Sequence, residues 1–219
     1  MSSNPISTCW PCERRARSAE GTVRVFVAVG ISAEAREQLV NAVDRIRREV
    51  SQGIQWANPE GMHLTLKFLG NIPSAGVEPL LDCLQPVASG TGPFPLHLAG
   101  LGMFPNRRRP RVLWAGVGGD LDALSRLQQA TEDAITAQGY PPEQRPFRPH
   151  VTLGRPRRSV SDAQLSRIGA VVSDLIPPLP VGWQVGSVEV MQSELHPSGA
   201  RYTALGSLPF KSPLPQGEG

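Results

Sequence analysis

Apolar positions along this chain follow two rhythms that alternate in a regular order. In TVRVFVAV (22–29), Val23, Val25, Val27 and Val29 fall on one side of an extended chain and Arg24, Phe26 and Ala28 on the other, as a strand requires. Ser32 then stands as an N-cap for a helix over about 33–51, in which Leu39, Val43, Ile46 and Val50 recur at helical spacing. HLTLKFLG (63–70) predicts a second strand. Residues 74–89 predict a second helix through Val77, Leu80, Leu81 and Leu84, and FPLHLAGL (94–101) predicts a third strand.

The same grammar restarts. RVLWAGV (111–117) is a strand, and 120–138 is a helix with Leu121, Leu124, Leu127, Thr131 and Ile135 on one stripe. HVTLGR (150–155) is a strand, 161–174 a helix, GWQVGSVEVMQSEL (182–195) one long strand, and RYTALGSL (201–208) the last. Each half reads β-α-β-α-β, and in each the middle strand opens with His-x-Thr, a duplication of pattern with slight identity between the halves. Residues 22–208 are therefore expected to form one domain. The polar leader 1–21 and the Pro- and Gly-rich tail 209–219 are expected to be disordered.

The chain has only four histidines, and two of them share this frame. Residues i and i+2 of a strand lie on one face, about 7 Å apart. His63 and Thr65 thus project together while Leu64, Leu66 and Phe68 fill the other face, and His150 and Thr152 do the same against Val151 and Leu153. Helices cover the apolar faces, so two open faces remain. If these face one another, two imidazoles and two hydroxyls converge on a cleft. Imidazoles with an unperturbed pKa near about 6.5 suit acid–base chemistry at neutral pH, and threonine hydroxyls can hold phosphate oxygens. A lone strand histidine is more often structural; a matched pair at matched places reverses that expectation. His97 has Ala99 at the +2 position and reads as structural, and His196-Pro-Ser198 reads as a turn.

Composition narrows the classes. The chain has 219 residues, 40% hydrophobic, with a formal net charge of +3, and its basicity is almost all arginine, lysine occurring only at Lys67 and Lys211. Arginine is the better phosphate fork. No apolar run approaches the roughly 18–20 residues that cross a bilayer, and the first twenty residues lack the apolar stretch of a secretory signal, so a cytoplasmic protein without membrane association is expected. Cys9-Trp-Pro-Cys12 is a C-x-x-C without a second such pair and reads as incidental; Cys83 reads as core.

The matched frames, together with RVFVAV (24–29), GLGMFPNRRRPRVLWAGV (100–117), RPFRPHVTLGR (145–155) and SELHPSGARYTAL (193–205), resemble the 2H phosphoesterases. Within that superfamily the likeness is to the bacterial and archaeal RNA 2′,3′-cyclic phosphodiesterases once named 2′–5′ RNA ligases. GIS (30–32) departs from the family, which often has an acidic residue and proline there. The resemblance implies a bilobal, pseudo-two-fold α+β fold: two antiparallel sheets, each covered by helices on its outer face, with a central cleft. It also implies that the two ends of the chain share one lobe and the middle forms the other.

By the same resemblance, His63 and His150 act as acid and base, Thr65 and Thr152 bind phosphate, and no cofactor or metal is needed. RNA ends or nucleotides with a 2′,3′-cyclic phosphate are the expected partners, the 2′-phosphomonoester the product, 2′–5′ ligation the reverse reaction, and a monomer the acting form. Further candidates for substrate contact are Phe26 as a base-stacking ring, Lys67 continuing the His63 face, Tyr202 in the last strand, and Arg155. Strict alternation turns Arg155 away from His150, and Arg148 reaches the right face only if the strand starts before Pro149. The runs RRRPR (107–111) and RPRR (155–158) are solvated loops or contacts to an RNA backbone. Three alternatives remain open: a cyclic phosphodiesterase for an ADP-ribose cyclic phosphate or a 2′–5′ oligoadenylate, a non-catalytic RNA-end binder, and a zinc protein, for which a third and fourth ligand are lacking.

Overall fold

A computed structural model describes residues 21–175, 181–196 and 199–211. Cys9 and Cys12 and residues 212–219 of the expected tail lie outside the described residues. The elements are β1 (Thr22–Val29), α1 (Ala33–Glu49), β2 (Ile54–Trp56), β3 (Leu64–Pro73), α2 (Val77–Ser89), β4 (Phe94–Phe104) and β5 (Val112–Gly119). They continue with α3 (Leu121–Ala137), β6 (His150–Pro156), α4 (Asp162–Asp174), β7 (Gly182–Val185), β8 (Ser187–His196) and β9 (Gly199–Pro209). No helix among the described residues is long and apolar enough to cross a membrane.

The architecture is α+β, and every strand pairing is antiparallel. The strands run β7-β4-β5-β6-β3-β1-β8-β9, with β2 added on β6. This order mirrors itself about its centre: β3 matches β6, β1 matches β5, β8 matches β4. It is the spatial form of the repeated β-α-β-α-β pattern. One lobe takes β1, β3, β8 and β9 from the ends of the chain, and the other takes β2 and β4–β7 from its middle. The two lobes' sheets join where Leu64 of β3 pairs with Val151 of β6.

The helices form because their apolar stripes need a sheet. Ser32 caps α1, its hydroxyl accepting the Ala35 amide at 3.1 Å, and Leu39, Val43 and Ile46 enter the core with Val25, Val27 and Val29. Such a cap is worth about 1 kcal/mol. Asp120 caps α3 and Ser161 caps α4 in the same way, the latter in a reciprocal box with Gln164. α2 packs on β8, β9 and α3, whereas α4 packs on β4 and α1.

Two boundaries differ from expectation. GWQVGSVEVMQSEL is not one strand: it breaks at Gly186, so that β7 pairs with β4 in one lobe and β8 with β1 in the other. Alternation runs through such a break, and only the change of partner reveals it. The packed domain also passes residue 208. The Phe210 amide donates to the Gly186 carbonyl at 2.8 Å, and its ring is buried, stacked on Phe94 at 6.2 Å.

Both central strands bulge at the same place. Against β1, Thr65 pairs with Ala28 and Lys67 with Val27, leaving Leu66 as an extra residue. Against β5, Thr152 pairs with Trp114 and Gly154 with Leu113, leaving Leu153 extra. Each bulge falls three residues after the histidine and reverses the in–out parity of the residues that follow it, on β3 until a second bulge at Leu69 restores it.

Candidate active site

Leu64 and Val151 are each the residue between a histidine and a threonine. Extending their antiparallel register sets His63 toward Thr152 and Thr65 toward His150. A cavity of about 410 Å³ opens over this junction, lined by His63, Thr65 and Thr152 together with Arg24, Phe68, Arg155, Ser193 and Tyr202. The cavity wall does not include the His150 ring, yet His150 is near enough to His63 to perturb its titration.

The two imidazoles are held alike. His63 Nδ1 lies 2.6 Å from the Gly61 carbonyl and His150 Nδ1 lies 2.7 Å from the Arg148 carbonyl, each two residues back along the chain. A carbonyl oxygen only accepts, so Nδ1–H donates in both rings, and Nε2 is the nitrogen left for chemistry. Aromatic rings fix both planes. Phe26 stacks on His63 at 4.5 Å, and Tyr202 meets the same imidazole edge-on at 5.0 Å. Phe104 meets His150 edge-on at 5.2 Å, with Trp114 at 6.3 Å. Gly61 makes room for the Tyr202 ring, which occupies the space a Cβ at that position would need.

Burial pushes the His63 pKa down; the bond to the Gly61 carbonyl opposes this, and His150 lowers it further. Burial also lowers His150, opposed by the Arg148 carbonyl and aided by the Arg155 guanidinium. Burial raises the Tyr202 pKa, with the Arg155 and Arg24 guanidinium groups, which line the same cavity, pulling the other way.

The matched bulges decide which side chains join the histidines. Lys67, expected on the His63 face, is turned into the core at 4% exposure. There its Nζ donates to Glu132 Oε1 at 2.5 Å and to the Pro141 carbonyl at 3.0 Å. Phe68, expected in the core, instead lines the cleft at 57% exposure. On β6 the same reversal brings Arg155 into the cleft, where strict alternation would have turned it away. Phe26 is not an open stacking surface: it is 1% exposed and occupied by His63.

Tyr202 lines the cavity, whereas Arg148 lies outside the cavity wall with its guanidinium 5.9 Å from the Phe104 ring centre. His97 of β4 rests over Gly118 of β5, and exposed His196 has Nε2 3.5 Å from the Glu194 carboxylate; neither lines the cavity. Cys83 is half-buried against the core, its thiol 3.2 Å from the Leu80 carbonyl.

Three residues of the cavity wall, Gln55, Trp56 and Ala57, come from β2 and the residue after it, which the periodicity did not predict. A strand of three residues is too short to show a period. Gly154 accommodates it, since a Cβ there would come within 2.9 Å of the Trp56 ring. Among the described residues no group of three or more His, Cys, Asp or Glu is placed to hold a metal ion.

Known proteins are similar to this chain in sequence and fold. The family model for LigT-like phosphoesterases matches residues 29–114 and 119–202. An RNA 2′,3′-cyclic phosphodiesterase of Thermus thermophilus is 31% identical over 194 residues, 84% of this chain and 88% of that protein. One of Geobacillus stearothermophilus is 36% identical over 133 residues, 59% of this chain but only 41% of the relative's length. The crystal structure of TT0787 from Thermus thermophilus superposes with a TM-score of 0.70 at 29% identity, covering 86% of this chain and 98% of that one. With most of its length matched in order, both His-x-Thr strands included, the chain belongs to the LigT-like phosphoesterases, members of the 2H phosphoesterase superfamily.

Proposed function

We propose that this protein opens 2′,3′-cyclic phosphates on RNA ends or nucleotides to 2′-phosphomonoesters, with His63 and His150 as the acid–base pair. The observation that carries the reading is the identical tethering of both imidazoles, Nδ1 to the carbonyl two residues back, on either side of the Leu64–Val151 pair. It leaves two Nε2 atoms as the proton-transfer positions, one neutral and one protonated in the reactive form. The neutral ring removes a proton from water as the water oxygen bonds to phosphorus. The protonated ring delivers its proton to O3′ as the P–O3′ bond breaks, and the pair is left with its protonation reversed. Each such transfer contributes about 10²–10⁴-fold.

Thr65 and Thr152 are suited to hold the non-bridging oxygens, and Arg155 and Arg24, which line the same cavity, offset the phosphate charge. Phe68, more than half exposed in the cleft, offers the base a face that Phe26 does not. A 5′-hydroxyl taking the place of water would leave a 2′–5′ linkage. The names of the relatives, RNA 2′,3′-cyclic phosphodiesterases, support the same substrate. Incubation with a 2′,3′-cyclic nucleotide, with the phosphate position in the product assigned by phosphorus NMR, tests the proposal. A 2′-phosphate is expected; no turnover, or a 3′-phosphate, overturns it.

A further inference from the structure

We infer that the surface formed by Phe104, Trp114 and Arg148 is a second binding subsite, which takes the nucleotide preceding the cyclic end of a single-stranded RNA. The inference rests on the function proposed above and specifies its substrate: a strand rather than a mononucleotide. Phe104 and Trp114 lie 5.1 Å apart at 34°, and neither belongs to the wall of the cavity. Trp114 can lie where it does because Gly102 has no Cβ; a side chain there would collide with the indole. Both rings also reach His150, at 5.2 and 6.3 Å, so a base seated on them adjoins the reacting phosphate.

The charges in this region are of two kinds. Arg107 and Arg109 of the β4–β5 loop are paired with Asp174 and Asp162 of α4, at 3.8 and 2.6 Å, and so hold that loop to the helix. Arg148 has no such partner among the described residues; it is exposed, with its guanidinium 5.9 Å from the centre of the Phe104 ring. Arg111, also exposed, is set beside Phe104 by its amide, 2.6 Å from the Phe104 carbonyl. Partly exposed aromatic rings beside guanidinium groups that have no carboxylate partner among the described residues suit single-stranded nucleic acid, which proteins hold by base stacking and positive charge without reading its sequence. The Trp114 Nε1–H is buried without an acceptor among the described residues. A cyclic mononucleotide fills the cavity alone, whereas a strand bearing the same end covers both surfaces.

The test compares kcat/KM for a 2′,3′-cyclic mononucleotide with that for a tetranucleotide carrying the same end, using the full chain. The wild type is expected to favour the tetranucleotide. Arg148→Ala should lower that preference about tenfold, within the range of a cation–aromatic contact combined with base stacking, and Arg148→Lys should restore part of it. Added salt should raise KM for the tetranucleotide more steeply than for the mononucleotide. A preference that is absent, or unchanged in Arg148→Ala, overturns the inference while leaving the catalytic proposal standing. If neither substrate turns over, the catalytic proposal fails, and fluorescence anisotropy of a tetranucleotide ending in a 3′-phosphate still decides the subsite. Weaker binding by Arg148→Ala supports it, and equal binding overturns it.

Discussion

Leu64 and Val151 pair across the junction of the two lobes, both fully buried, and each separates the histidine from the threonine of its own strand. The strand pairing that joins the two sheets is thus also the one that aligns the two His-x-Thr frames. Leu64→Ala removes buried volume where the sheets meet and is expected to destabilise the fold by about 2–5 kcal/mol. Urea unfolding measures it. An unchanged midpoint would show that the lobes do not lean on this pair.

His63→Ala and His150→Ala are expected to lower turnover of a 2′,3′-cyclic nucleotide by about 10²–10⁴-fold each, and the double variant by less than the product, because the two rings act as a unit. His97→Ala and His196→Ala should match the wild type, since neither side chain borders the cleft. Side-by-side steady-state assays decide it. Near wild-type rates in either of the first two variants would reduce the repeated frame to a packing motif.

Lys67→Ala should act on stability rather than on substrate affinity. The side chain is buried, and its loss leaves Glu132 unpaired in the core, at about 3–5 kcal/mol. Replacing both partners, as Lys67→Met with Glu132→Leu, should recover much of this. Melting curves and KM together make the test: a raised KM at unchanged melting temperature would return Lys67 to the cleft.

Phe68→Ala and Phe26→Ala should part in the opposite sense. Phe68 is exposed in the cleft, so its loss should raise KM with little change in melting temperature. Phe26 is buried under His63, and its truncation should cost about 3–5 kcal/mol along with turnover. Thermal melts paired with KM for a cyclic nucleotide separate them.

Both histidines have folded-state pKa values below their ordinary value of about 6.5, so kcat/KM, which in the proposed mechanism needs one ring neutral and one protonated, should peak on the acid side of that value. Between the folded and unfolded values the unfolded chain binds more protons. This contribution to stability is therefore fully present above about pH 6.5 and lost as pH falls through the folded-state values. His63→Asn should flatten the acid side of the melting-temperature profile. A maximum of kcat/KM well above pH 7 would contradict the placement of both rings.

Much of this protein was legible in its residues. The valines of β1, the stripe of α1 and the two His-x-Thr frames follow from period alone, because burying one face of a strand or helix imposes that period whatever the partner. That His63 projects with Thr65 and His150 with Thr152 could be anticipated for the same reason: i and i+2 share a face. The fate of Lys67, Phe68 and Arg155 could not. Their direction depends on bulges at Leu66 and Leu153, and a bulge exists only relative to a neighbouring strand that has one residue fewer to offer. Nor could the break at Gly186, where an unbroken alternation changes partner from β4 to β1. Local periodicity determined the elements and the histidine pair; strand pairing over long sequence distances decided which side chains stand with them.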